Sequence, residues 1–360
     1  MKHFFLAVTI LLSKLAFGQT DQYSEVVKYY NTEKNFNGAV LVATNGQIDY
    51  LTGIGVSNRQ SGTTMDAKTK FKIASITKSF TAVLILQLYQ QGKIDLNANF
   101  GKYYPTYKGE AKDKVTIKHL LTYSSGIPNS VEKLEMKPYQ LLLSIDEFID
   151  KYCSGKLEFT PGEKSNYSNT EYTILHKIIE NVSNKSFSSL LQENILNPLK
   201  MENTGLLNSK DIIPGLTSSY TIEDSTNLIT SDQPYFIENY FGSAAMYSTV
   251  EDLLKFNNGI FNYTLFNEST TKLIIKPNEK LDNAALSGLW YSDGYGIFNK
   301  PFTYRTGGLL GSCSNWIHSI GDKKTIIVFN NTNGTNLYEF SEQLYLVSTG
   351  QKATIPSPNK

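Results

Sequence analysis

The sequence predicts an α+β fold: an antiparallel sheet built from both chain ends and flanked by helices, with a mostly helical inserted lobe. Three observations carry this reading. Strand-like segments cluster near both ends of the chain, helical periodicity dominates between them, and turn dipeptides separate consecutive strands at both ends.

Taken in order, Asp21–Asn31 reads as a short helix and Ala39–Thr44 as a strand. Asn45-Gly46 is the dipeptide of a type I′ hairpin turn, and Gln47–Val56 returns as a second strand. A polar loop passes through Ser61, Gly62 and Thr63. From Ser75 onward, Phe80, Val83, Leu84, Leu86 and Leu88 give a helical apolar face that runs to Gly92. The middle of the chain predicts helices over Thr116–Thr122, Leu141–Tyr152, Asn169–Val182, Ser186–Ile195 and Thr249–Asn257. Strands then return at Tyr295–Phe298, Phe302–Thr306, Ser312–Ile320 and Lys324–Asn330, with Gly321-Asp322 as the turn between the last two. Asn336–Ser348 is a closing helix, and residues 351–360 are expected to be a flexible tail. The expected organisation is a single domain over 19–350. Its sheet lobe takes about 19–100 and 285–350, and its helical lobe about 101–284.

Composition excludes several classes. Of 360 residues, 40% are hydrophobic and 19% charged, the balance of a chain that buries a core. Lys plus Arg total 34 against 33 acids, so no charge excess points to nucleic acid. Lys2 and His3 precede an apolar run from Phe4 to Phe17, and small residues follow at Ala16 and Gly18. This predicts a secretory signal peptide over 1–18, and an exported protein, periplasmic or extracellular. The alternative is a retained anchor, but the run is shorter than the roughly 20 apolar residues a span needs. No stable membrane insertion is expected after cleavage. Export permits a disulfide between Cys153 and Cys313, although two buried free thiols fit a chain with so few cysteines better. No CxxC or HExxH spacing suggests a metal.

The chemistry-bearing segment is Ser75-Ile76-Thr77-Lys78. A serine hydroxyl needs a base within reach to act as a nucleophile, and residues three apart share one helix face. SxxK also occurs at Ser130, Ser269 and Ser357, so the tetrapeptide alone decides nothing. Only Ser75 opens a strongly apolar helix straight after a loop, where free N–H groups could supply half of an oxyanion hole. The second element is Tyr167-Ser168-Asn169. A phenol near lysine can serve as general acid or base, and an asparagine can position a lysine or a substrate amide. Alternatively these residues are a loop with Asn169 or Thr170 capping the next helix. The third is Arg305-Thr306-Gly307-Gly308 on a predicted edge strand, where glycines let a substrate backbone approach and Gly308 N–H could complete the oxyanion hole. A plain β-turn is the alternative there.

In this order the three segments resemble the serine β-lactamase and penicillin-binding-protein superfamily, in particular its class C-like branch. That branch also holds D-alanyl-D-alanine carboxypeptidases, D-aminopeptidases and family VIII carboxylesterases. Further stretches are similar to the branch: His119-Leu120-Leu121-Thr122-Tyr123-Ser124-Ser125-Gly126-Ile127-Pro128, Phe159-Thr160-Pro161-Gly162, Asn197-Pro198-Leu199-Lys200-Met201 and Ser248-Thr249-Val250-Glu251-Asp252-Leu253. The resemblance spans about residues 30–335. It implies a β-lactamase/transpeptidase-like fold and an exported serine hydrolase working through an acyl-enzyme without metal or organic cofactor. Its substrate would be a small molecule or short peptide: a peptidoglycan-type peptide, a β-lactam or an ester. It implies Ser75 as nucleophile, Lys78 as proton acceptor and Tyr167 as activator of Ser75 or of the deacylating water. Asn169, Arg305, Thr306, Gly307 and Gly308 would bind substrate. Three departures stand out. Arg305 replaces the usual Lys or His, and is expected to grip a substrate carboxylate with two hydrogen bonds or to raise the local positive potential. Ser243-Ala244-Ala245 replaces a Gly-Gly, and Tyr123 stands where His is frequent. The competing class is a non-catalytic binding protein that keeps the fold. A Ser-His-Asp hydrolase of the GxSxG type is disfavoured because that motif is absent.

Overall fold

A computed structural model describes residues 19–223, 225–276 and 284–356; the expected signal peptide lies outside them. Its centre is a six-stranded antiparallel sheet of β1 (Gly38–Thr44), β2 (Gln47–Ile54), β3 (Trp290–Ser292), β4 (Phe302–Leu309), β5 (Ser312–Ser319) and β6 (Lys324–Asn330), in the order β3-β4-β5-β6-β1-β2. The two chain ends meet where β1 pairs with β6, from Gly38 opposite Asn330 to Thr44 opposite Lys324.

The middle strands read as continuous apolar runs because both faces of the sheet are covered. On β1, Ala39, Leu41 and Ala43 face one core, while Val40 and Val42 face another. The smaller core is roofed by a helix over 19–33 (α1) and by α7 (Leu337–Ser348). The larger core joins the sheet to the helical lobe through α2 (Thr77–Gln90), which is buried almost all round rather than along one stripe. The other helices used below are α3 (Ile117–Leu121), α4 (Ile145–Tyr152), α5 (Thr170–Ser183) and α6 (Val250–Phe261).

Capping chemistry sets several helix starts. Thr116 and Ser144 each form a reciprocal capping box, with His119 and Glu147 respectively. The Ser144 box starts α4 at Ile145, so Leu141 and Leu142, expected to be helical, lie exposed ahead of it. Tyr295–Phe298 is an isolated bridge, not a strand; the strand beside β4 is Trp290–Ser292, whose three residues are too few to show a period. The tail is held as far as it is described: Ala353 and Ile355 pack on the smaller core, and Thr354 bonds the Gln343 side chain. Cys153 and Cys313 are both free thiols. Among the described residues no helix is long and apolar enough to cross a membrane.

Candidate active site

Ser75 sits where strand, turn and helix meet. A short strand, Phe71–Lys72, pairs with Met246–Ser248, and Ile73 N–H continues the pairing to Met246 O at 3.0 Å. The chain then turns through a 3-10 segment, Ala74–Ile76, before α2 begins. Ala74 has φ +46°, a conformation that costs a non-glycine residue about 1–2 kcal/mol. That turn places Ser75 at the mouth of α2, its backbone against β4 and its hydroxyl toward Lys78 and Tyr167.

Lys78 is wholly buried one turn later. Its Nζ donates to Ser75 Oγ at 3.0 Å, to Asn169 Oδ1 at 2.6 Å and to Ser243 O at 3.1 Å. Asn169 occupies the N-cap position of α5 without making a side-chain cap bond, since its amide oxygen serves Lys78. Tyr167 approaches Ser75 from the other side, its hydroxyl 2.7 Å from Ser75 Oγ. Burial would raise the pKa of Tyr167. The charges of Lys78 and Arg305, with hydrogen bonds from Lys78 and Ser75, outweigh it and hold the phenol below its usual 10.0.

Arg305 departs from expectation. It is buried, and its fork points inward: Nε donates to Ser75 O at 3.0 Å, Nη1 to Tyr123 Oη at 2.9 Å and Nη2 to Tyr167 Oη at 3.1 Å. The guanidinium therefore ties Ser75, Tyr123 and Tyr167 to β4 and does not line the cleft. Burial opposes its charge, yet Tyr123, Tyr167 and Tyr172 around it hold the proton more firmly than usual. Tyr123, noted in the sequence only as a departure, is thus the partner that sequence reasoning missed. It is buried at φ +55°, stacks on Trp290 and receives the fork; burial drives its own pKa up.

Along β4, Arg305 and Gly307 turn inward while Thr306 and Gly308 face out. A Cβ on Gly307 would lie 2.4 Å from Ser314 Oγ, 2.5 Å from Ile73 O and 3.1 Å from Ser75 N, so only glycine lets the strand lie against the Ser75 turn. Gly308 lines the cleft, and Thr306 does not. The cleft holds about 340 Å³, with Ser75, Tyr167 and Asn169 at one side and Val131, Met136, Tyr139, Tyr240, Leu309 and Leu310 around them. Behind it, Glu171 is buried with Oε1 accepting from Ser125 Oγ at 2.8 Å, and burial raises its pKa to about 7. No group of acids, histidines or cysteines among the described residues could hold a metal ion.

The Beta-lactamase family model matches residues 24–350. Teichoic acid D-alanine hydrolase of Staphylococcus aureus is 26% identical over 318 residues, covering 88% of this chain and 75% of that protein. D-amino acid amidase from Ochrobactrum anthropi SV3 superposes with a TM-score of 0.78 at 18% identity, covering 94% of this chain and 99% of that one. EstCE1, a hydrolase with promiscuous acyltransferase activity, gives 0.75 at 16% identity, covering 92% and 98%. With the family's sequence pattern matched over most of its length and its fold shared with these structures, the chain belongs to the Beta-lactamase family of serine hydrolases.

Proposed function

We propose that the protein hydrolyses a small ester or amide through an acyl-enzyme on Ser75. The observation that carries this is the pair of contacts on Ser75 Oγ, 2.7 Å from Tyr167 Oη and 3.0 Å from Lys78 Nζ. Lys78 Nζ lies among oxygen acceptors on Ser75, Asn169 and Ser243, which suits a charged ammonium that orients Ser75 and favours the phenolate of Tyr167. Tyr167 is then the group that takes the Ser75 proton as Oγ attacks the substrate carbonyl. The oxyanion is received by the N–H groups of Ser75 and Gly308, and Tyr167 returns the proton to the departing alcohol or amine. Water hydrolyses the acyl ester by the same route and regenerates Ser75. The names of the relatives, a D-alanine hydrolase and a D-amino acid amidase, support small acyl substrates of this kind. Peptidoglycan-type peptides and β-lactams would use the same chemistry. The opening residues support export to the periplasm or beyond the cell, which N-terminal mass analysis of the mature protein checks.

A fluorophosphonate probe followed by intact-mass analysis tests the reading. One adduct is expected on the wild type and none on Ser75→Ala. A folded wild type that takes no adduct, and turns over neither nitrocefin, D-Ala-D-Ala peptides, D-amino acid amides nor p-nitrophenyl esters, is a binding protein instead.

A further inference from the structure

The cleft's electrostatics discriminate among those substrates. Resting on the hydrolase reading, the geometry points to Glu135 as the anchor for an ammonium group on the substrate, and so to a cationic aminoacyl ester or amide. Among the described residues lining the cleft, Glu135 is the one with a formal charge; the others are apolar, aromatic, hydroxyl, amide or glycine. It is held at φ +53° just past a short helix, Ser130–Lys133, and is exposed to solvent at the cleft wall. Of its two neighbouring cations, Lys133 bonds Glu158 and Lys137 does not line the cleft, and Glu135 makes no ion pair among the described residues. The two cations beneath the cleft act on Tyr167 by their charge, but neither lines the cleft and both donate to protein groups. Lys78 donates to Ser75, Asn169 and Ser243, and Arg305 donates to Ser75, Tyr123 and Tyr167.

A substrate carboxylate entering this cleft would lose water, gain no charged donor and meet Glu135 as a like charge. A substrate ammonium gains a charge-assisted hydrogen bond there, while the apolar wall of Val131, Met136, Tyr139 and Tyr240 takes its carbon skeleton. A penicillin or a peptide ending in a free carboxylate is therefore disfavoured, and an acyl group with a free amine is favoured.

Three anilides test this: D-alanine p-nitroanilide, with an ammonium at the α-nitrogen; its N-acetyl form, uncharged there; and its N-succinyl form, with a carboxylate at the end of an acyl extension of that nitrogen. In the wild type, kcat/KM is expected to fall about tenfold from ammonium to neutral, and again to carboxylate. Glu135→Gln should collapse that ratio, and Glu135→Lys should invert it. Because the readout is a ratio within each variant, a general loss of turnover cancels, and the fluorophosphonate adduct reports folding of the site. Turnover with a ratio that neither variant changes overturns the Glu135 inference alone. Absence of both turnover and adduct in the wild type sinks this inference together with the hydrolase reading.

Discussion

At the scale of single residues, two buried ionisable groups, one beside Ser75 and one behind the cleft, carry measurable consequences. Arg305 holds three acceptors with a planar fork, which a lysine's single ammonium cannot reproduce. Arg305→Lys should lower kcat on a neutral ester by about a hundredfold, the usual cost of misplacing a catalytic group by an ångström, with less effect on KM. Steady-state kinetics check this, and unchanged kcat would show that the fork does not position Ser75 and Tyr167. Glu171 works through stability. Its folded pKa is raised from 4.5 to about 7, so the folded state binds the proton more tightly than the unfolded chain. Its contribution is present below about pH 4.5 and is lost as pH rises through 7, by about 3 kcal/mol at most. Glu171→Gln should remove that loss, so that denaturant melts of wild type and variant separate between pH 5 and pH 8 in the direction that favours the variant at high pH. A wild type whose stability difference from the variant stays constant over that range would contradict the burial argument.

At the scale of elements, the close approach of β4 to the Ala74–Ile76 turn is the decisive contact. Gly307→Ala puts a methyl within 2.5 Å of Ile73 O, a backbone atom that cannot swing aside. It should cost about 1–3 kcal/mol by overpacking and weaken acylation as well, read as a lowered Tm together with slower probe labelling. Equal Tm and equal labelling would mean that the strand shifts without consequence. The same elements show how much the sequence made legible. The β1–β2 hairpin, α2, and β5 with β6 carry turn dipeptides or long apolar patterns, and all form close to their expected bounds. Ser75, Lys78, Tyr167 and Asn169 were legible because their motifs sit at the starts of α2 and α5, and the fold brings them within hydrogen-bonding distance. Trp290–Ser292 and the early part of α4 were not, since a three-residue strand has no period and a capping box overrides an apolar run. Tyr123 and Ser243 stayed hidden for another reason. One acts through a hydroxyl on a left-handed turn and the other through a backbone carbonyl, and neither function leaves a mark in local sequence.

At the scale of the whole molecule, the sheet's interface with α6 holds an acid-sensitive group. His318 on β5 lies with Nδ1 2.9 Å from Thr325 Oγ1, its ring stacked on Phe261, and burial lowers its pKa to about 3. An unfolded histidine titrates near 6.5, so stability is full above that value and declines as pH falls toward 3, by up to about 5 kcal/mol from this residue. Histidine NMR should find the His318 ring neutral down to about pH 3; titration near 6.5 would contradict its burial. The pairing of β1 with β6 has a different outcome, in the order of synthesis. Ser75 and Lys78 leave the ribosome early, but Arg305 follows 230 positions behind Ser75, and β6, which pairs with β1, comes later still. Contacts of such sequence separation form late and slowly. A nascent chain therefore carries Ser75 without its partners, and the hydroxyl acquires its surroundings only once the last strands have been made and the two ends have closed on each other.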